Sequence, residues 1–371
     1  MSLTTQDFVY MQERSVPQLR AIDYIELYVS NARQAAHFYR TAFGFTPVAY
    51  AGLETGLRDR VSFVMRQGEC HLVLTAPLGP DGPIAEQVRC HGDGVKDVAF
   101  RVDDVAEVFA EVVRRGARPL MEPTVLEDEA GRVIKATIAA FGDTVHSFIQ
   151  RDGFQGAFFP TYQAIDSAPV PGTGLSAFDH CAVSLPRGEL QQWVDFYTQV
   201  LDFHQIHEEG IATEYSAMNS KAVQDSSGCI NFVLIEPAES KRKSQIEEFL
   251  KFYQGPGVQH VASLSDDIIG TVRALEARGV GFVPAPASYY EMLADRVGNI
   301  SENTAALREV NVLVDRDEWG YLLQIFSLPV QSRPTFFMEI IQRKNARGFG
   351  SGNIQALFRA LEREQARRGN L

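Results

Sequence analysis

Two spacings of apolar residues alternate along this chain. In Ala21-Ile22-Asp23-Tyr24 and in DHCAVSL from Asp179, apolar positions adjoin or alternate with polar ones. That pattern predicts strands, because successive strand side chains point to opposite faces. In residues 31–45 (NARQAAHFYRTAFGF) and 188–203 (GELQQWVDFYTQVLDF) the apolar positions recur three and four apart. That spacing predicts amphipathic helices. Each carries a Phe-Tyr pair, and each is followed by a Phe that opens a further strand.

The pattern repeats. Residues 91–123 (HGDGVKDVAFRVDDVAEVFAEVVRRGARPLMEP) resemble residues 254–286 (QGPGVQHVASLSDDIIGTVRALEARGVGFVPAP). In both, a strand leads into an Asp-Asp pair, an apolar-periodic helix and a Gly stop. Asp103-Asp104 and Asp266-Asp267 sit where a helix N-terminus favours carboxylates. One strand–helix–strands unit therefore occurs four times, twice per half, as expected of a duplication in which each half folds as one domain. Residues 160–174, rich in Pro, Gly and Ser, read as the linker between a domain of 1–159 and one of 175–371. A Gly-rich turn at 348–352 precedes a final helix, roughly residues 353–368, with Ile354, Leu357, Phe358 and Leu361 on one face.

Composition fits this division. The 371 residues exceed one ordinary domain, and 45% of them are apolar, enough for two cores. No apolar run reaches the roughly 18–20 residues of a membrane span. The first twenty residues lack a basic start followed by an apolar stretch, so a cytoplasmic protein is expected. A formal charge of −12 disfavours nucleic acid or an anionic membrane as partner. Lys241-Arg242-Lys243 and Arg367-Arg368 read as solvated helix ends. Cys70, Cys90, Cys181 and Cys229 form no CxxC pair, which argues against a zinc cluster or a disulfide framework.

The two halves differ at positions that matter chemically. His180 falls where the first half has Tyr24, and His260 falls where it has Asp97. Histidines kept for scaffold reasons would be expected in both copies, so their presence in one copy points to a site in the second half. Glu339, in the apolar run TFFMEIIQR, is a carboxylate that is costly to bury unless paired or metal-bound. Two imidazoles and one carboxylate form the facial set of Fe(II) oxygenases, which leaves coordination positions open. Each residue alone has a plainer role: a hydrogen-bonded core histidine, or a carboxylate paired with a buried Arg. Zinc is the rival metal, though it more often takes three His or sulfur ligands. His37, His71, His91, His146, His204 and His207 are assigned ordinary core or surface roles.

The second half also resembles the 4-hydroxyphenylpyruvate dioxygenase family of the vicinal-oxygen-chelate superfamily. DHCAV, ATEYSAMNS, KRKSQIEEFLKFYQGPGVQHVA, GYLLQIFSLPVQSRPTFFMEIIQR, GFGSGN and the terminal EREQARRGNL carry the likeness over nearly all of 177–371; the first half matches more weakly. The resemblance implies an α+β fold of two glyoxalase-like domains, each built from βαβββ modules forming open β-barrels, with a C-terminal lid helix. It implies Fe(II) on His180, His260 and Glu339, an aromatic 2-oxo acid and O2 as substrates, and a homo-oligomer, dimer or tetramer. It places Gln259, Gln324 and Ser220 in catalytic roles. Gln245, Val233, Ile235, Phe326, Phe349, Asn353 and Ile354 would contact substrate.

Two departures bear on the product. Homogentisate-forming members carry Pro-x-Asn-Glu-Pro where this chain has Val233-Leu234-Ile235-Glu236-Pro237, and Gly-Asn-Phe where it has Gly352-Asn353-Ile354. A pocket amide becomes Ile235 and a ring-stacking Phe becomes Ile354. Together with AMNS at 217–220 these changes resemble 4-hydroxymandelate synthase, a sister enzyme using the same substrate. The other readings are homogentisate formation, a non-catalytic binding protein of the same fold, and a glyoxalase-like metal isomerase.

Overall fold

The computed structural model describes residues 16–213 and 215–356, with 359, 362 and 369 beyond them. The alternating and β-branched runs form strands, and the periodic segments between them form helices. The first half contains β1 (Ala21–Tyr28), α1 (Ala32–Thr41), β2 (Thr46–Ala51), β3 (Arg60–Gln67), β4 (Cys70–Pro77) and α2 (Pro83–His91). It continues with β5 (Gly94–Arg101), α3 (Val105–Arg114), β6 (Pro119–Asp128), β7 (Gly131–Ala139), β8 (Val145–Asp152) and the two-residue β9 (Gln163–Ala164). The second half contains β10 (Leu175–Ser184), α4 (Leu190–Asp195), β11 (His204–Ala212), β12 (Ala217–Gln224), β13 (Asn231–Pro237) and α5 (Gln245–Tyr253). After these come β14 (Gly257–Ser265), α6 (Ile268–Glu276), three short helices between Ala287 and Glu309, β15 (Leu313–Arg316), β16 (Tyr321–Phe326) and β17 (Phe337–Lys344).

Four βαβββ modules result, as the repeat predicts. Their strands form two sheets, ordered β6-β7-β8-β5-β1-β4-β3-β2-β9 and β11-β12-β13-β10-β14-β17-β16-β15. The leading strands of each module pair, β1 with β5 and β10 with β14, run antiparallel at the centre of their sheet. Each also has a parallel neighbour from its own module, as in β14 with β17. The second sheet curls, so that residues of β10, β12, β13, β14, β16 and β17 face one cavity.

The local starts match their residues. Asp104 and Asp267 cap α3 and α6 by accepting from the Glu107 and Gly270 amides. Ser244 and Glu247 form a reciprocal capping box on α5, which satisfies amides that a helix start leaves free. The segment expected as one helix at 188–203 is α4 followed by one π-helical turn, Phe196–Val200. Thr198 bonds back to the Val194 carbonyl there, a side-chain bond of the kind that bends helices. The segment 160–174 is not wholly irregular, because β9 pairs with β2 at the sheet edge.

The halves meet through aromatic rings. Phe100 meets Phe232 edge-on at 6.2 Å, Phe141 meets Trp193 at 5.8 Å, and His91 stacks on Tyr253 at 4.5 Å. Full burial of each such side chain stabilises by roughly 1.5–3 kcal/mol, so this seam fixes the halves against each other. Residues 351–356 begin the final helix, and Ile354 packs into the cluster around Met218 and Phe349. Leu357, Phe358 and Leu361, expected on the same face, and Arg367-Arg368 lie outside the described residues. Among the described residues no helix is long and apolar enough to cross a membrane.

Candidate metal centre

Strand register brings the three ligand candidates together. On β10 and β14, His180 lies opposite Ala262 and His260 lies opposite Ala182. On β17, Glu339 lies opposite Ala262. Three neighbouring strands thus each present one polar side chain to the same face, with small Ala residues between them. Glu339 Oε2 sits 3.3 Å from His180 Nε2 and 3.3 Å from His260 Nε2. One ligand atom from each residue lies within 4.8 Å of the others, and among the described residues this is the one such group of His, Cys, Asp and Glu. Glu339 is 1% exposed.

Burial alone would raise the Glu339 carboxyl, but the charge and hydrogen bonding of the two imidazoles hold it at about 2. Burial would lower His180, yet the Glu339 charge and the Asp179 bond raise it to about 9. Burial wins at His260, which falls below its ordinary value. The imidazoles thus favour the ionised form of the buried carboxylate, and a divalent cation at the same point would do the same.

The surroundings set the ligand geometry. His180 Nδ1 donates to Asp179 Oδ1 at 2.7 Å, which directs Nε2 toward Glu339. Asp179 is itself held by Arg343 through Nε at 2.6 Å and Nη2 at 2.7 Å. Among the described residues His260 has only Gln259 Oε1 at 3.4 Å on its Nδ1 side, and is instead stacked on Phe337 at 4.8 Å. Gln324 Nε2 donates to Glu339 Oε1 at 3.0 Å, and Asn353 Nδ2 donates to Gln324 Oε1 at 3.0 Å.

Register also aligns the two halves. Tyr24 lies opposite Ala99, as His180 lies opposite Ala262. Asp97 pairs with Val145 as His260 pairs with Phe337, so Ser147 stands where the second half has Glu339. In the first half Ser147 Oγ and Tyr24 Oη donate to Asp97 Oδ2 at 2.6 and 2.9 Å. Lys135 Nζ lies 2.7 Å from Tyr24 Oη and 3.3 Å from Asp97. An ammonium therefore neutralises the carboxylate there. The outer pair is common to both halves: Arg151 binds Asp23 as Arg343 binds Asp179.

A pocket enclosing about 430 Å³ of atom-free space, its open mouth included, lies beside the three ligand candidates. Gln259, Gln324, Ser220, Gln245, Val233, Ile235, Phe326, Phe349 and Ile354 all line it. Asn353 does not. It is wholly buried behind Gln324, with its amide bonded to the Tyr289 hydroxyl at 2.6 Å, so it adjoins the pocket only through Gln324. Met218 lines the pocket and was not anticipated, although it lies two residues before Ser220 on β12 and so shares its face. Arg343 and Phe337 were also missed. Arg343 lies four residues beyond Glu339 on β17, an even spacing that puts it on the same strand face.

Residues 21–146 and 177–325 match the Glyoxalase/Bleomycin resistance protein/Dioxygenase superfamily. The 4-hydroxyphenylpyruvate dioxygenase of Yarrowia lipolytica is 42% identical over 98% of this chain and 96% of its own length. That of Caenorhabditis briggsae is 41% identical over 97% of this chain and 95% of its own. The chain belongs to the 4-hydroxyphenylpyruvate dioxygenase family. As a member of that family it is a dioxygenase, an oxidoreductase. The solved structure of a triple mutant of 4-hydroxymandelate synthase from Streptomyces coelicolor superposes with a TM-score of 0.86, at 41% identity over 94% of this chain and 99% of that one. The family's fold of two repeated glyoxalase-type halves is the fold described above.

Proposed function

We propose that this chain binds Fe(II) through His180, His260 and Glu339 and converts 4-hydroxyphenylpyruvate and O2 to 4-hydroxymandelate and CO2. The balance is complete: the substrate's own carboxylate leaves as CO2, one atom of O2 enters the new carboxylate formed at the keto carbon, and the other becomes the benzylic hydroxyl. The donor set supports the metal. Two imidazole nitrogens and one carboxylate oxygen converge from three strands, and the pocket adjoins them on the open side. Bound there, Fe(II) would supply open coordination positions for the oxo acid and the redox chemistry with O2.

The chain's own residues do the placing. Asp179 orients His180, Phe337 orients His260, and Gln324 occupies the carboxylate oxygen that faces away from the imidazoles. Gln245, Gln259 and Ser220 supply polar contacts for the carboxylate, keto and phenol groups of the substrate. Phe326 and Phe349 bound its ring.

The product assignment rests on one observation: Ile235 and Ile354 both line the pocket that holds the ligand candidates. Neither can hydrogen-bond to the phenol or offer a flat stacking surface. The ring is thereby positioned with its benzylic carbon toward the metal. A displacement of about 1 Å can change a rate roughly 100-fold, about 2.7 kcal/mol, enough to select between two products. The second reading, homogentisate, is favoured by the names of the curated relatives. Incubating iron-loaded protein with 4-hydroxyphenylpyruvate in air and separating the products tests it, with 4-hydroxymandelate expected. Predominant homogentisate overturns the product assignment. Stoichiometric iron without O2 uptake overturns the reaction.

A further inference from the structure

The pocket beside the ligand candidates has a much larger neighbour. Between the halves lies a cleft enclosing about 2320 Å³ of atom-free space including its open mouth. Ala21 and Arg101 of the first half border it, as do His207, Trp319 and Arg347 of the second. One side chain lines both spaces: Phe349. Its ring meets His180 edge-on at 5.2 Å on the pocket side. On the cleft side the His207 ring lies at 6.5 Å and the Arg343 guanidinium at 5.4 Å.

We infer that substrate reaches the pocket through this cleft, and that the Phe349 ring is the shutter between the two. The inference rests on the functional reading above and adds the route. The backbone on both sides of Phe349 is pinned by hydrogen bonds, while the ring is held by packing alone. Asp317 Oδ2 accepts from the Arg347 and Gly348 amides at 2.7 and 2.8 Å, and Arg343 Nη1 donates to the Gly348 carbonyl at 2.7 Å. On the other side Gly350 has φ +78°, and a Cβ there would lie 1.9 Å from Gln324 Oε1, so the residue after the ring must be glycine. Small residues at 348 and 350 leave the ring free of bulky chain neighbours. Opening therefore turns the ring out of its packing against Met218 and Ile354 about a pinned backbone.

The cleft wall suits an aryl oxo acid. Trp319 is 49% exposed, and the Arg347 guanidinium lies over its ring at 5.1 Å. Arg101 and Arg343 are engaged by Asp23 and Asp179. Arg347 has no ion pair among the described residues and is the guanidinium left to meet a carboxylate. Glu69 and Glu318 border the same cleft, so this attraction is local to Arg347. A competing route runs past Phe326 and Ala356, where a space of about 250 Å³ adjoins the final helix.

Cys229 separates the two routes, because it is exposed and lines the cleft while Cys70 and Cys181 are buried. In a Cys90→Ser background, Cys229 is modified with a bulky maleimide. Association and dissociation of radiolabelled 4-hydroxyphenylpyruvate with iron-loaded protein are then followed by pulse–chase without O2. Both rates should fall by about tenfold, the scale on which association at one site varies, with the equilibrium affinity little changed. Cys229→Ser protein treated with the reagent should keep the unmodified rates. Phe349→Ala should raise both rates. Unchanged rates with complete labelling overturn the route and leave the site's function standing. Absence of any binding removes the functional reading and the route with it.

Discussion

Gln324 donates to Oε1 of Glu339 at 3.0 Å, which leaves Oε2 alone to face both imidazoles. The carboxylate is thus prepared to ligate through one oxygen. Replacing Gln324 by Met keeps the volume and removes the donor, so a buried Oε1 loses its partner. Metal affinity should fall about 10–100-fold, the usual effect of losing an outer hydrogen bond to a ligand. Competition against a chromogenic chelator measures it, and unchanged affinity would show that strand packing alone orients Glu339.

Asp179 and Asp23 form a built-in comparison, since each is buried against an Arg and only Asp179 also touches a histidine at the site. Asp179→Asn and Asp23→Asn should each destabilise the fold, by about 3 kcal/mol, the low end for a broken buried pair because each Arg keeps some solvent contact. Only Asp179→Asn should also weaken metal binding. Chemical denaturation and metal titration of both variants check this. Equal loss of metal from both would mean that the Asp179 effect is general loosening of the fold.

Much of this architecture is legible in the sequence because duplication supplies an internal control. Asp23 and Asp179 recur with their Arg partners; Tyr24 and His180 differ and mark the site. Apolar period and Asp caps locate the modules. The contribution of Lys135 to the first half was not legible, because β7 brings it across the sheet from 38 residues beyond Asp97. Nor was the inward turn of Asn353. Its position beside Ile354 suggests a shared surface, but a helix turns consecutive side chains by about 100°, so Asn353 meets Gln324 while Ile354 meets the pocket.

Ile235 and Ile354 together should set the product ratio. Ile235→Asn restores a pocket amide, and Ile354→Phe restores a flat ring. The double variant should shift product toward homogentisate while retaining metal, since neither residue contacts His180, His260 or Glu339 through a polar group. Chromatography of products against both standards reads the ratio. An unchanged ratio would move the control of regiochemistry to Met218 or Val233, the other apolar side chains of the wall that are not aromatic.

His146 should give the protein a specific acid sensitivity. It is fully buried at the seam, donating from Nδ1 to the Val98 carbonyl at 3.0 Å and accepting at Nε2 from Tyr197 of the other half at 2.9 Å. The bond from Tyr197 requires the neutral ring, whereas the bond to Val98 survives protonation, and burial lowers the pKa to about 4 from the ordinary 6.5. As pH falls from 6.5 toward 4 the unfolded chain takes up this proton and the folded chain does not, so stability rises with pH across that window and is lost as it is acidified. At pH 4.5 the loss should be about 2–3 kcal/mol relative to neutral pH. His146→Gln keeps an acceptor for Tyr197 without a titrating ring. Metal-free wild type should therefore lose that much more stability than the variant between pH 7 and 4.5, measured by urea denaturation. Parallel pH profiles for the two would mean that His146 is protonated in the fold, and that the seam bond to Tyr197 is not what holds the halves together.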